Sequence, residues 1–110
     1  MISFETIKSK RDFDLLYQRG VSLNGKFFYL KCLKAKGSGL ATRFGIVIST
    51  KISKSAVVRN LKRRQLKEII RLNRDKIKDG MMILLVAKED IVKAEYDSLE
   101  KEFLSLIKKI

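Results

Sequence analysis

Residues 44–71 read FGIVISTKISKSAVVRNLKRRQLKEIIR, and two different periods meet inside them. Up to Thr50 the apolar residues alternate: Phe44, Ile46 and Ile48 share one side, and Arg43, Gly45, Val47, Ser49 and Lys51 share the other. A period of two marks a half-buried strand, here over 42–50. Its second face is mostly small or polar, so it should leave open space above the sheet. From about Ser55 to Asn73 the period becomes helical. At about 100° per residue, Val57, Val58, Leu61, Ile69 and Leu72 gather into an apolar arc that Lys62 and Gln65 interrupt. Gly80 then punctuates the chain, and residues 81–87 form a near-continuous apolar run, as expected of a strand covered on both faces. The segment is therefore a strand–helix–strand unit.

Outward from this unit, residues 26–35 read as another strand. Phe28, Leu30 and Cys32 point one way, and Phe27, Tyr29, Lys31 and Leu33 the other. Lys36-Gly37-Ser38-Gly39 is a turn into the next strand. Toward the N-terminus, Ser9 can cap a short helix with Asp12 as its box partner, and Gly20 ends it. Phe13, Leu16 and Tyr17 share one face of that helix. At the other end a helix over 94–109 carries Tyr96, Leu99, Phe103, Leu106 and Ile110 as a core stripe. The order is α-β-β-α-β-α. It predicts an α/β (α+β) fold in a single domain over 1–110, with a small mixed sheet and a βαβ crossover between the strands at 42–50 and 81–87.

Charge narrows the function. Lys and Arg total 25 against 12 acids, a formal net charge of +13. Such a domain repels itself unless a polyanion neutralises it, and nucleic acid is the commonest such partner. No apolar run nears the roughly 20 residues of a membrane span, and the opening residues lack signal-peptide character. The single cysteine, Cys32, cannot form an internal disulfide. These features place the protein in the cytoplasm and away from the membrane.

The basic residues are concentrated. Lys51, Lys54, Arg59, Lys62, Arg63, Arg64, Lys67, Arg71 and Arg74 fall within 24 residues, with Glu68 the only acid among them. Arg59, Arg63, Lys67, Arg71 and Arg74 lie on one arc of the helix, with Asn60 and Arg64 beside them. A solvated helix face would alternate signs. A one-sign arc matches a phosphate backbone. Asn60 adds an amide able to donate to and accept from base or ribose edges. A second constellation is aromatic: Phe13 and Tyr17 on a helix face, and Phe27 and Tyr29 on a strand face beside Lys31. Aromatics interleaved with cations suit the stacking of unpaired bases. With small residues at Gly45 and Ser49, flanking Val47, this face should form a trough.

Enzyme chemistry finds few candidates. The chain has no histidine, too few Cys and His for a zinc site, and no glycine-rich phosphate loop. Asp12 and Asp14 diverge on a helix, and Glu89 and Asp90 lead into the last helix. No catalytic residue, metal ligand, protein-bound cofactor or small-molecule substrate is expected.

The run at 44–71 resembles the hallmark segment of bacterial ribonuclease P protein subunits, where a strand and a Ser-x-Lys-like linker lead into a helix opened by Arg-Asn and further basic residues. IKSKRDFDLLYQRGVSLNGKFFYLKCL, residues 7–33, is similar to that family's opening: an Asp-Phe pair, a helix ending in Gly, then an aromatic strand. The resemblance covers about 7–87. It implies an α/β sandwich with a left-handed βαβ crossover. It also implies a protein that is not itself the catalyst, the RNA subunit carrying magnesium and cleaving precursor tRNA to free the mature 5′ end. The protein would bind that catalytic RNA through the Arg-Asn region and hold the precursor's 5′ leader in a cleft. Arg59 and Asn60 match the motif's first two positions, Arg63, Arg64 and Lys67 match later basic ones, and Lys51 matches the lysine after the strand. Phe13, Tyr17 and Tyr29 match cleft-lining positions. The chain departs at the third motif position, where Leu61 replaces a basic residue and the helical wheel turns it toward the core. The other function consistent with the composition is a ribosomal-protein-like or RNA-chaperone module with no role in cleavage.

Overall fold

The computed structural model describes residues 5–7, 10–34 and 42–110. The Ser9 cap, the Ala35 end of the strand read over 26–35 and the turn at 36–39 lie outside them. The elements are β1 (Glu5–Thr6), α1 (Lys10–Arg19), β2 (Val21–Asn24), β3 (Phe28–Lys34), β4 (Arg43–Val47), α2 (Ala56–Leu72), β5 (Met81–Ala87) and α3 (Tyr96–Ile107), with short 3₁₀ turns at Arg74–Lys76 and Glu89–Lys93. The predicted α-β-β-α-β-α order is present, and two short strands extend the sheet to five in the order β1-β4-β5-β3-β2.

β5 takes the central place that its apolar run predicts. It pairs parallel with β4 and antiparallel with β3, and all its residues but Val86 are buried. β2 pairs antiparallel with β3 through a short turn around Lys26 and Phe27, closed by the Gly25 N–H donating to the Phe28 carbonyl at 3.0 Å. The Glu102 carboxylate on α3 closes this turn, accepting from the backbone N–H groups of Lys26, Phe27 and Phe28 at 2.6, 2.9 and 3.2 Å.

The two sheet faces bury different partners. Phe28, Leu30, Phe44, Ile83 and Leu85 meet α2 and α3 through Leu66, Ile69, Ile70, Leu99 and Phe103. Met82 and Leu84 on the other face meet Ile7 and Leu16. The alternation read for β3 and β4 therefore holds for Phe28, Leu30, Cys32, Phe44 and Ile48.

Chirality fixes the crossover. The Phe44 side chain lies in the α2–α3 core, and its carbonyl accepts from the Ile7 N–H at 2.8 Å, pointing toward β1. In an L-residue those two directions put β5 to the left of β4 when β4 runs upward and α2 is in front. The β4–α2–β5 crossover is left-handed, against the usual right-handed rule and as the resemblance implies.

The apolar arc read for α2 needs correction. Its buried residues are Lys62, Leu66, Ile69 and Ile70, whereas Val57, Leu61 and Leu72 are exposed. The helix has two apolar arcs, roughly 100° apart at their centres. The sheet and α3 accept the one containing Leu66 and Ile70. Among the described residues no helix is long and apolar enough to cross a membrane.

Candidate nucleic-acid interface

The basic helix begins where its chemistry dictates. Ser55 is the N-cap, its hydroxyl accepting from the Val58 N–H at 3.3 Å, and no acid occupies the first turn. The helix dipole therefore adds positive potential at this end. Before it, the Ile52 N–H donates to the Ser49 carbonyl at 3.0 Å, turning the chain from β4 toward α2 and leaving Lys51 and Lys54 exposed. Arg59 folds back on this linker, donating to the Ser53 carbonyl at 2.7 Å. Arg63 donates to the Asn60 side-chain oxygen at 3.2 Å. Asn60, Arg63, Arg64 and Lys67, with Val57, line a shallow open groove along the helix.

The basic arc is not uniform. Arg71 pairs with Glu68 at 2.6 Å, and that hydrogen bond raises its guanidinium pKa further. Arg74 pairs with Asp79 at 3.2 Å. Both pairs offset charge at the C-terminal end, so the potential is concentrated toward the N-terminal half, around Lys51, Lys54, Arg59, Asn60, Arg63, Arg64 and Lys67.

Lys62, expected on this surface, is not part of it. It is 6% exposed, and its ammonium donates to the Ala94 carbonyl at 2.6 Å. Burial holds its pKa below the ordinary lysine range. Its place on the wheel, between Leu66 and Ile69, turns it toward α3, where a backbone acceptor awaits it.

The second surface lies under α1. The Asp12 carboxylate pairs with Arg43 at 3.1 Å and pins the start of the helix on β4. Leu16 is fully buried, and Phe13 packs over Gly45. A Cβ at Gly45 would stand 2.9 Å from Leu84 Cδ1 and 3.3 Å from the Phe13 ring. The missing side chain thus admits α1 rather than leaving the open space expected there. The open floor lies one row further along the sheet, where Tyr29, Val86 and Val47 are paired across β3, β5 and β4, each partly exposed. Tyr17 forms its wall, 47% exposed, with the Lys31 ammonium 5.8 Å from its ring centre. Burial, with neighbouring Tyr29 second, raises the Tyr17 hydroxyl above the ordinary phenol value. It is a neutral donor at physiological pH. Ser49 is exposed beyond this floor, on the chain leading to Lys51.

Phe27 is not a member of this trough. It precedes β3 and packs against the α2–α3 core, because Glu102 holds its backbone in the turn and breaks the alternation. Val86 is the member that the sequence reading misses. Its alternation with Met82 and Leu84 carries the signal, hidden because the strand reads as apolar throughout. Among the described residues no three Cys, Asp or Glu side chains converge to hold a metal ion.

Comparison with known proteins places these surfaces in context. The model of the family described as Ribonuclease P matches residues 1–110. The ribonuclease P protein component of Alkaliphilus oremlandii is 33% identical over 110 residues, covering 100% of this chain and 94% of that protein. That of Clostridioides difficile is 36% identical over 104 residues, covering 94% and 89%. The solved structure of the RNase P protein from Thermotoga maritima superposes with a TM-score of 0.85 at 27% identity, covering 96% of this chain and 97% of that one.

Proposed function

The chain belongs to the ribonuclease P protein family, and from that premise we propose that it binds two RNAs at once. The N-terminal half of α2, with Lys51 and Lys54, docks on the catalytic RNA of a bacterial ribonuclease P. The trough between α1 and the row Tyr29–Val86–Val47 holds the single-stranded 5′ leader of precursor tRNA. The observation that carries this reading is the Lys31 ammonium, 5.8 Å from the ring centre of the half-exposed Tyr17, beside a floor that α1 leaves uncovered. An aromatic face and a cation there serve a base and a phosphate of the same unpaired strand.

Cleavage, and the magnesium it uses, belong to the RNA. The protein alone is inactive, and its part is to position substrate and to screen phosphate charge where the two RNAs meet. The complex works in the cytoplasm.

The test uses the protein assembled with a bacterial ribonuclease P RNA transcript. Affinity is measured for precursor tRNA with and without its leader, and cleavage is followed with protein alone, RNA alone and both. A leader-dependent gain in affinity and lower magnesium demand in the complex are expected. Equal affinity for the two tRNAs would remove the leader trough, and cleavage by RNA-free protein would overturn the division of labour.

A further inference from the structure

α2 exposes large apolar side chains among its cations. Val57 is 79% exposed and Leu61 44%. They are one turn apart on one side of the helix, so they form a single pad. Neither belongs to the core, which α2 reaches through Leu66, Ile69 and Ile70. Charge surrounds the pad: Val57 shares its groove with Asn60, Arg63, Arg64 and Lys67, and Lys54 precedes it in the linker. The exposed Leu72 lies well apart, one position beyond the Glu68–Arg71 pair.

A cationic rim selects a polyanion, but phosphates give an apolar pad nothing to bury. RNA presents apolar surface where a base leaves its stack. Resting on the reading that α2 docks RNA, we infer that Val57 and Leu61 seat the face of one unstacked nucleobase of that RNA. The surrounding cations hold the backbone on either side. Asn60, whose side-chain oxygen already accepts from Arg63, offers its amide nitrogen to an acceptor on that base or its ribose. The pad gives the interface an attachment that salt does not screen.

Counterion release counts only phosphates, so apolar burial and a phosphate contact leave different signatures in a salt series. The experiment measures binding to a bacterial ribonuclease P RNA transcript across salt for the double variant Val57→Ser, Leu61→Ser, beside Arg63→Ala. The double variant should bind about tenfold more weakly at every salt concentration, parallel to the parent. Arg63→Ala should flatten the slope. Melting temperatures should stay at the parent value; if the double variant melts lower, Leu61→Gln, which keeps helix propensity, is read in its place. Parent-like binding by the pad variant while Arg63→Ala weakens would overturn this inference alone. Full affinity in both would remove the docking reading as well. A flattened slope in the pad variant would make the interaction ionic, and weakened self-association in sedimentation at unchanged RNA affinity would assign the pad to a protein partner. Either result overturns the inference.

Discussion

Lys62 and Ala94 are joined by a 2.6 Å hydrogen bond from ammonium to carbonyl, which turns a lysine from the most basic stretch of the chain to the inward side of α2. The bond ties the middle of α2 to the residue that closes the 3₁₀ turn at Glu89–Lys93. A buried ammonium is tolerated only with such a partner.

Lys62→Ala should therefore lower stability by about 2–4 kcal/mol, combining a cavity with an unpaired buried carbonyl. Lys62→Met, which keeps the stem, should lose less. Because burial lowers this lysine's pKa, the fold disfavours its charged form. That penalty acts at neutral pH and eases as pH rises toward the ordinary lysine value, so its contribution favours stability at alkaline pH. Denaturant unfolding of both variants checks the sizes. A flattened salt slope of RNA binding for folded Lys62→Met would return this residue to the interface.

Arg63 and Arg59 should separate under substitution, although both lie in the basic arc. Arg63→Ala should cost about 1.5–3 kcal/mol of RNA affinity and about one unit of salt slope per phosphate it neutralises, with stability unchanged. Arg59 also braces the Ser53 carbonyl, so Arg59→Ala should add a stability loss of about 1 kcal/mol. Titration across salt beside thermal melting resolves the pair.

Tyr29→Ala should weaken binding of precursor tRNA by about 1–3 kcal/mol and leave mature tRNA nearly unchanged. The basis is the place of Tyr29 on the open row with Val86 and Val47. Equal losses for the two tRNAs, or a lower melting temperature alone, would make the residue a spacer.

Gly45→Ala should destabilise the protein by about 1–3 kcal/mol, because the added methyl meets Leu84 at 2.9 Å and the Phe13 ring at 3.3 Å. The relaxation available is for α1 to lift. Leader affinity should therefore fall along with stability, and binding of the catalytic RNA should not. Parallel melting and tRNA titrations check this.

Cys32 should show itself in alkali. Burial pushes its thiol up to about 11. Below about pH 7.5 it is neutral in both folded and unfolded chains. Between about 9 and 11 the unfolded chain ionises first, so stability falls by about 2–3 kcal/mol over that window. Cys32→Ala should be less stable at pH 8 but lose less between pH 8 and 11.5 than the parent. Identical pH profiles would mean that the thiol is not held in the core.

Whatever rests on short-range period and on summed charge is legible in the chain alone. The alternation of Phe28, Leu30 and Cys32, and of Phe44, Ile46 and Ile48, requires strands with one face inward. Gly20 and Ser55 mark helix ends through backbone chemistry that needs no distant partner. The excess of cations requires a polyanion whatever the fold. The rest was set by tertiary packing, between residues far apart in the chain. Glu102 turned Phe27 out of the trough from 75 residues away, and Ala94 claimed Lys62 from 32. Phe13 filled the space above Gly45, which moved the open floor to Val86. α2 offered two apolar arcs, and its own sequence could not choose between them. Burial depends on which arc meets the sheet, so packing placed Leu66 and Ile70 in the core and left Val57 and Leu61 among the cations.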